Sequence, residues 1–447
     1  MERTESPACC VVGLGYVGLN LAHMLAQSGY PTVGYDIDTQ KIAALQQSHD
    51  PTGELDADAL PHDDLTFTSS ADHIADCEFV FVALPSPLDD SLAPDISVLE
   101  TASETVGANL SDGAIVVYES TLYPGAVRED LRPALERGVG ERPVSFSVGY
   151  SPERIAPGED RSRVSDAMKI VSAEDEQTRA RMAALYEDIS EVGVYLAESI
   201  ETAEAAKCLA NVQRDVNIAV VNEFTMGARQ LDIDLDPHEV LEAAGTKWNF
   251  HEYTPGIVGG HCIPVDPHYL RDRFEAAGFE PSVLTNARIV NEKMRRHVAA
   301  VTVEALETAQ KTDETPESPT VRGDGGREYS PRLLVLGLAY KSGLVDTRNS
   351  PAYGTCETLE ANGVEVVGYD PHLTREQARE EFDFEIQSEV DFSGFDGVLV
   401  LTPHERIRSL DLHRAAGEMT EDPVLVDVDN AFDSDRVTAA GFRYRRP

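Results

Sequence analysis

Two short stretches of the 447-residue chain carry side chains able to make and break bonds. The first is GGHCIPVDP over 259–267, in which Cys262 follows His261 and stands four residues ahead of Asp266. Three chemistries are open to Cys262. Packing is the common fate of a cysteine, but the paired Gly259 and Gly260 imply an exposed backbone turn, and Pro264 is placed to start a helix. A thiol near a helix N-terminus has its thiolate favoured and becomes a better nucleophile. A metal held by His261, Cys262, Asp266 and His268 would lack any recognised ligand spacing. The second stretch has helical spacing, with Lys207, Asn211 and Arg214 at i, i+4 and i+7 on one face. A solvated polar stripe has the same spacing. The chain has only seven lysines, however, so a lysine between Ala206 and Cys208 asks for a reason. Cys208 itself reads as a small core residue.

The elements that position these residues can be read outward from them. Residues 199–230 carry neither proline nor an early glycine, are rich in Ala and Glu, and have Ser199 as a helix cap, which predicts one long central helix. Upstream, ACCVVGLGYVGLNLAHMLAQSGYPTVGYD over 8–36 reads as buried strand, glycine turn, helix and second strand. Gly13, Gly15 and Gly18 form G-x-G-x-x-G at the strand-to-helix turn. Their lack of side chains lets a pyrophosphate approach the helix N-terminus, while Asp36 at the end of the second strand suits the adenosine ribose hydroxyls. Asp36-Ile37-Asp38 offers no cation for a 2′-phosphate, which selects NAD over NADP. The runs FVFVALP (79–85) and AIVVYES (114–120) suit strands buried on both faces of a parallel sheet.

The same series returns later in the chain. VGLGY (12–16) is echoed by LGLAY (336–340), VGYD (33–36) by VGYD (367–370), and FVFVALP by GVLVLTP (397–403). The fold class is therefore α/β, with two Rossmann-like parallel-sheet domains and a long central helix between them. In the second repeat Ala339 and Ser342 stand where Gly15 and Gly18 stand in the first, and Lys341 and Arg348 appear instead, so a different phosphate-bearing ligand is expected there. The expected division is an NAD domain at 1–198, a helical segment with the cysteine loop at 199–309, a flexible polar linker at 310–330 and a second nucleotide domain at 331–447.

Composition narrows the partners. With 37 basic against 79 acidic residues the net charge is -42, which disfavours nucleic acid and anionic membrane surfaces. Acidic residues spread along the whole chain suggest a halophilic protein, one adapted to a salty cytoplasm where screening tolerates self-repulsion. The six scattered cysteines fit a reducing compartment. MERTESPACC lacks the pattern of a signal peptide, and no apolar run approaches a membrane span, so a cytoplasmic location is expected.

GLGYVGL (13–19), ESTLYPG (119–125), SPERIAPG (151–158), ETAEAAKCLANVQRDVNIAVVNE (201–223), PGIVGGHCIPVDPHYL (255–270), ARIVNEKM (287–294) and GLAYKSGLVDTRNSPA (337–352) together resemble the nucleotide-sugar 6-dehydrogenases of the UDP-glucose/GDP-mannose dehydrogenase family. The resemblance covers almost the full length outside the linker. It implies an N-terminal NAD domain, a helical dimerisation segment, a C-terminal UDP-sugar domain and a homodimer. The implied reaction is a four-electron oxidation of a sugar CH₂OH to carboxylate with two NAD in succession, through a thiohemiacetal and a thioester on Cys262. In it Lys207 stabilises oxyanions, Asp266 manages water protons with Glu153 and Thr121, and Asn211 and Arg214 surround the substrate. The cofactor contacts implied are Gly13, Gly15, Tyr16, Val17, Gly18, Asp36, Lys41, Pro85, Thr121 and Arg348. Substrate contacts implied are Glu153, Arg154, Ile155, His251, Tyr253, Gly259, Tyr340 and Lys341, with Arg288 supplied from the partner subunit; no metal is implied. His261 before the cysteine and Val265 before the aspartate look like the N-acetylhexosamine branch. Within it UDP-N-acetyl-D-mannosamine is placed first, ahead of UDP-N-acetylglucosamine, which TKWNF (246–250) favours, and of UDP-glucose. Ile257 and Val258 depart from the Gly-Pro-Gly that many relatives carry before the double glycine. Two other readings stay open: a non-catalytic sugar-nucleotide sensor, which has no need of the nucleophile, lysine, asparagine and acid together, and a zinc-dependent dehydrogenase.

Overall fold

The computed structural model describes residues 6–53, 55, 60, 63–154, 168–312 and 330–447. The chain divides into two compact units, Met1–Asn211 with Val265–Pro281, and Val212–Pro264 with Ser282–Pro447.

The first unit is built on eight strands: β1 (Cys9–Val12), β2 (Thr32–Tyr35), β3 (Leu65–Thr68), β4 (Phe79–Val82), β5 (Ala114–Tyr118), β6 (Phe146–Tyr150), β7 (Lys169–Ala173) and β8 (Val194–Leu196). Their order is β3-β2-β1-β4-β5-β6-β7-β8. The first six strands are all parallel, in the doubly wound order that reverses between β1 and β4 and opens a ligand crevice there. Side chains alternate between two cores: Cys10, Val12, Val80, Val82 and Val116 face one, and Cys9, Val11, Phe81, Ile115 and Val117 face the other. The parallel sheet expected from the buried runs is thus present, and β7 extends it at one edge. This strand pairs antiparallel with β6, over Gly149↔Ala173 and Tyr150↔Ser172, and carries β8 with it. Such additions at the edge of a parallel sheet are common because an antiparallel pair needs no crossover helix.

The second unit repeats the design with β9 (Arg332–Leu336), β10 (Glu365–Tyr369), β11 (Glu385–Ile386), β12 (Gly397–Val400), β13 (Val424–Asp427) and β14 (Arg443–Arg445). Their order β11-β10-β9-β12-β13-β14 is parallel throughout and again reverses at the first strand. Helix Ser282–Thr312 packs Met294, Val298 and Leu306 against Leu333 and Val335 of β9.

The long central helix spans Ile200–Ala228, and Ser199 caps it by accepting the Thr202 amide at 3.1 Å. Helix Ser282–Thr312 runs past the expected start of the linker at 310, and linker residues 313–329 lie outside the described residues. A helix does follow the cysteine loop, but it begins at Asp266 rather than Pro264, with Pro267 in its first turn where a missing N–H costs nothing. Among the described residues no helix is long and apolar enough to cross a membrane.

Candidate active site

The crevice end of β1 is shaped by its glycines. Gly13 adopts φ +90°, which only glycine takes without strain, and a Cβ on Gly18 would collide with the Gly13 carbonyl oxygen. Gly15 is different. It stands at the N-terminus of helix Tyr16–Gln27 at φ -82°, and a Cβ there would meet nothing within 4 Å. The space over Gly15 is thus open at a helix N-terminus, as a dinucleotide pyrophosphate requires. Tyr16 and Val17 form the first turn, both half-buried. Asp36 follows β2 and accepts the amides of Leu14 and Asp38, each at 2.9 Å. The Lys41 ammonium lies 2.7 Å from its Oδ2. Burial alone would raise the Asp36 pKa, but Lys41 and the two amides together hold it below the usual carboxylate range. Asp36-Ile37-Asp38 itself offers no cation, and Lys41, one of the expected cofactor contacts, has its charge committed to Asp36. Pro85 is exposed just beyond β4, where Ser86 Oγ donates to the Thr121 carbonyl at 2.8 Å.

In the same unit Lys207, Asn211 and Asp266 come together, all buried. Asn211 Nδ2 donates to Asp266 Oδ2 at 2.5 Å. Burial pushes the Asp266 carboxyl up to about 6, against the opposing pull of Lys207 and Asn211. Arg214 is exposed further along the same helix. Cys208 donates to the Leu122 carbonyl at 3.3 Å and burial drives its pKa far up, so it is an inert packed thiol. One turn earlier Glu204 accepts the amides of Gly125 at 2.6 Å and Val127 at 3.0 Å, which ties the segment after Thr121 to the helix.

Glu153 has a partner that sequence reasoning missed. The Lys169 ammonium bridges Glu153 Oε2 at 3.0 Å and the fully buried Glu119 Oε2 at 2.8 Å, and Tyr186 donates to the other Glu119 oxygen. The scarcity of lysine was the available signal, but only the antiparallel turn onto β7 brings Lys169 there. Arg154 is exposed with Nη1 on the Met168 carbonyl at 3.1 Å, and Ile155 lies outside the described residues.

In the second unit the cysteine loop turns at Gly260, φ +87°, where a Cβ would press on the Tyr340 ring at 2.7 Å. A Cβ on Gly259 would stand 2.8 Å from the Asn349 carbonyl oxygen. Of six free cysteines, five are buried and Cys262 alone is partly exposed. His261 meets Asp346 at 2.8 Å and packs edge-on against Tyr340. Arg348 donates to Asp346 through Nε at 3.0 Å and Nη2 at 2.8 Å, so its guanidinium is engaged by a carboxylate five residues beyond Lys341. Arg288, expected to serve a partner subunit's substrate, is buried and bonds Asp215 and Glu292 of its own chain, both at 2.6 Å. His251 is exposed and Tyr253 half-buried. Around the second glycine turn, Gly337 takes φ +82° and Asp370 accepts the Leu338 and Ala339 amides at 2.7 and 3.0 Å, as Asp36 does for Leu14. Here His404 fills the turn: its Nδ1 accepts the Gly343 amide at 3.0 Å, so its Nε2 donates to Asp370. Among the described residues no group of three or more His, Cys, Asp or Glu is placed to hold a metal ion.

Three family models match: the UDP-glucose/GDP-mannose dehydrogenase family NAD binding domain over residues 7–190, its central domain over 201–293 and its UDP binding domain over 334–434. The chain is 36% identical over 428 residues to the UDP-N-acetyl-D-glucosamine 6-dehydrogenase of Pseudomonas aeruginosa, covering 95% of this chain and 97% of that one. It is 33% identical over 426 residues to the UDP-N-acetyl-D-mannosamine dehydrogenase of Pyrococcus horikoshii, covering 93% and 94%. The solved structure of a UDP-D-ManNAc dehydrogenase from Pyrococcus horikoshii superposes with a TM-score of 0.81 at 31% identity, covering 98% of both chains. With the glycine turn open over Gly15 and a second nucleotide fold behind the cysteine loop, the chain belongs to the UDP-glucose/GDP-mannose dehydrogenase family of NAD-dependent nucleotide-sugar dehydrogenases.

Proposed function

We propose that the chain oxidises the C6 hydroxymethyl of a UDP-N-acetylhexosamine to the uronate through a covalent adduct on Cys262. The observation that carries this reading is the exposure of Cys262 alone among six cysteines, on a turn four residues ahead of Asp266. Four residues span at most about 14 Å of chain, so the nucleophile and the acid-base group are tethered whatever the loop does. NAD, held at the first glycine turn, supplies the hydride acceptor for both oxidations.

The residues then divide the labour. The Cys262 thiolate adds to the aldehyde carbon left by the first oxidation, giving a thiohemiacetal whose second oxidation leaves a thioester. Sulfur suits both ends of this sequence, since its adduct is oxidisable and its thiolate leaves when water attacks. The Lys207 ammonium, buried in a chain with few lysines, serves the oxyanions that develop at C6. Asp266, with a carboxyl near 6, takes the proton of the attacking water and is oriented for it by Asn211. Glu153 and Thr121 assist at the same water, Tyr340 and Lys341 contact the sugar nucleotide, and Tyr16, Val17, Pro85 and Lys41 line the cofactor. Val220 and Phe224 on the central helix and Ile289 are exposed, which supports burial in a homodimer. Free thiols together with NAD chemistry support a cytoplasmic setting.

Motif details alone place the mannosamine epimer first. The higher identity to the glucosamine-named relative than to the mannosamine-named one supports UDP-N-acetylglucosamine as the first substrate to try. The test is NADH formation with a panel of UDP-sugars at high salt, with two NADH expected per uronate. Cys262→Ala should abolish uronate formation. Wild-type rates in that variant remove the thioester route, and failure of every UDP-sugar removes the reading itself.

A further inference from the structure

The first unit buries a charged cluster of which the chemistry above uses only Glu153. Lys169 opens β7 with its side chain 11% exposed, Glu119 follows β5 with its side chain wholly buried, and the ammonium lies between Glu119 and Glu153. Tyr186, on helix Glu176–Ile189, donates to the far oxygen of Glu119 and presents its ring 5.4 Å from the ammonium. The segment carrying Glu153 is fixed as well. The Ser151 amide donates to the Tyr118 carbonyl at 3.0 Å, and the Glu153 amide to the Glu119 carbonyl at 3.1 Å. Of the two Glu153 oxygens, Oε1 accepts the Arg154 amide at 2.7 Å and Oε2 the Lys169 ammonium at 3.0 Å. Among the described residues, Glu153 is faced by Lys169 from β7, Glu119 from the end of β5, Tyr186 through Glu119, and Arg154 on its own segment.

We infer that Lys169 is a positioning residue for Glu153: braced from behind by Glu119, its ammonium keeps the Glu153 carboxylate ionised and aimed, and so sets the lowest pH at which the enzyme turns over. Glu119 is the brace because a lysine facing one carboxylate could swing, whereas one held by two cannot leave either without stranding a buried charge. This rests on the role proposed for Glu153 at the hydrolytic water. The sign follows from charge. Loss of a cation beside a carboxylate raises its pKa, by about one to three units at this range.

The measurement is the pH profile of kcat for steady-state NADH formation, together with an infrared titration of the Glu153 carboxylate taken as the wild-type minus Glu153→Gln difference. Lys169→Met strands the buried Glu119 and risks misfolding, so Lys169→Met/Glu119→Gln is measured beside it. The acid limb of that double variant should move up, by less than the loss of the cation alone would give because Glu119→Gln also removes a like charge, with the rate recovering at higher pH. Lys169→Arg, which keeps the cation, should hold the limb in its wild-type place. In a Glu153→Gln background, Lys169→Met/Glu119→Gln should move the profile no further. A uniform fall in rate with the limb unmoved would show the cluster to be structural only and overturn the proposal. If the wild-type chain reduces NAD with no UDP-sugar, the proposed function fails. The infrared titration still decides this inference, which falls if the carboxylate band titrates at the same pH with and without Lys169.

Discussion

A carboxyl group enclosed as Asp266 is, with only 1% of its surface exposed, binds its proton more tightly in the folded chain than in the unfolded one. Its pKa rises from 3.8 to about 6, a difference that amounts to about 3 kcal/mol at 1.36 kcal/mol per unit. Because the folded value is the higher one, this group contributes no penalty below pH 4. It costs progressively more as the pH rises through 6, where the folded chain must carry a buried anion. Asp266→Asn removes that slope. Between pH 4 and pH 7.5 the urea stability of the variant should therefore gain about 3 kcal/mol relative to wild type, while uronate formation is lost. Parallel stability curves for the two proteins would show that the carboxyl is not held at the pKa its burial implies. Asp36 poses the opposite case, since its depressed pKa is tied to Lys41. Asp36→Ser would release a cation where the 2′ position of an adenosine ribose lies in this fold. The variant should lose NAD affinity by about tenfold and gain use of NADP, read as the ratio of kcat/KM for the two cofactors. A loss of NAD use with no gain for NADP would mean that Lys41 does not face the ribose.

At the scale of elements, the first glycine turn separates what folding needs from what the cofactor needs. Gly18 lets helix Tyr16–Gln27 approach the Gly13 carbonyl, so Gly18→Ala forces strand and helix apart and should destabilise the chain by about 1–3 kcal/mol. Gly15→Ala meets empty space at an ordinary φ and should fold with little loss, yet it fills the place of the pyrophosphate and should abolish NAD binding. Thermal melting with and without NAD distinguishes the two: Gly15→Ala should melt as wild type alone and gain nothing from the cofactor. An intact NAD-induced rise in that variant would move the pyrophosphate elsewhere. This turn was legible in the sequence because its logic is local, with glycine spacing, flanking strand and following helix all within 8–36. The repeat of that pattern was legible too, and it places β9, β10 and β12 in the same order as β1, β2 and β4. The pairing of Lys169 with Glu119 was not. It depends on β7 joining β6 antiparallel, and no spacing along the chain encodes which residues of two strands will face each other. For the same reason Arg348 could be read as a phosphate ligand, while its bond to Asp346 two residues away depends on the loop conformation. His261 was read as a marker beside the nucleophile; its link to Asp346, 85 residues on, appeared only in the folded chain.

For the molecule as a whole, the charge of -42 has to be reconciled with ligands that are themselves anionic. Several cations that would offset it locally are committed to carboxylates: Lys41 to Asp36, Lys169 to Glu119 and Glu153, Arg288 to Asp215, Arg348 to Asp346. Beyond contact range an approaching dinucleotide or sugar nucleotide meets a repulsive field, and repulsion among the acidic residues also opposes the compact state. Salt acts on both. The Debye length falls from about 10 Å at 0.1 M to about 3 Å at 1 M, which leaves close pairs such as Lys41 with Asp36 largely intact but removes the long-range field. Enzymes that draw anionic ligands to a basic surface lose affinity as salt rises; here the sign should reverse. Raising KCl from 0.1 to 2 M should increase Tm, lower the KM for NAD and for the UDP-sugar, and do so equally for KCl and NaCl at the same ionic strength if screening is the cause. A Tm independent of salt, or a KM that climbs with it, would show that local cations dominate the field and that the acidic surface is not an adaptation to salt.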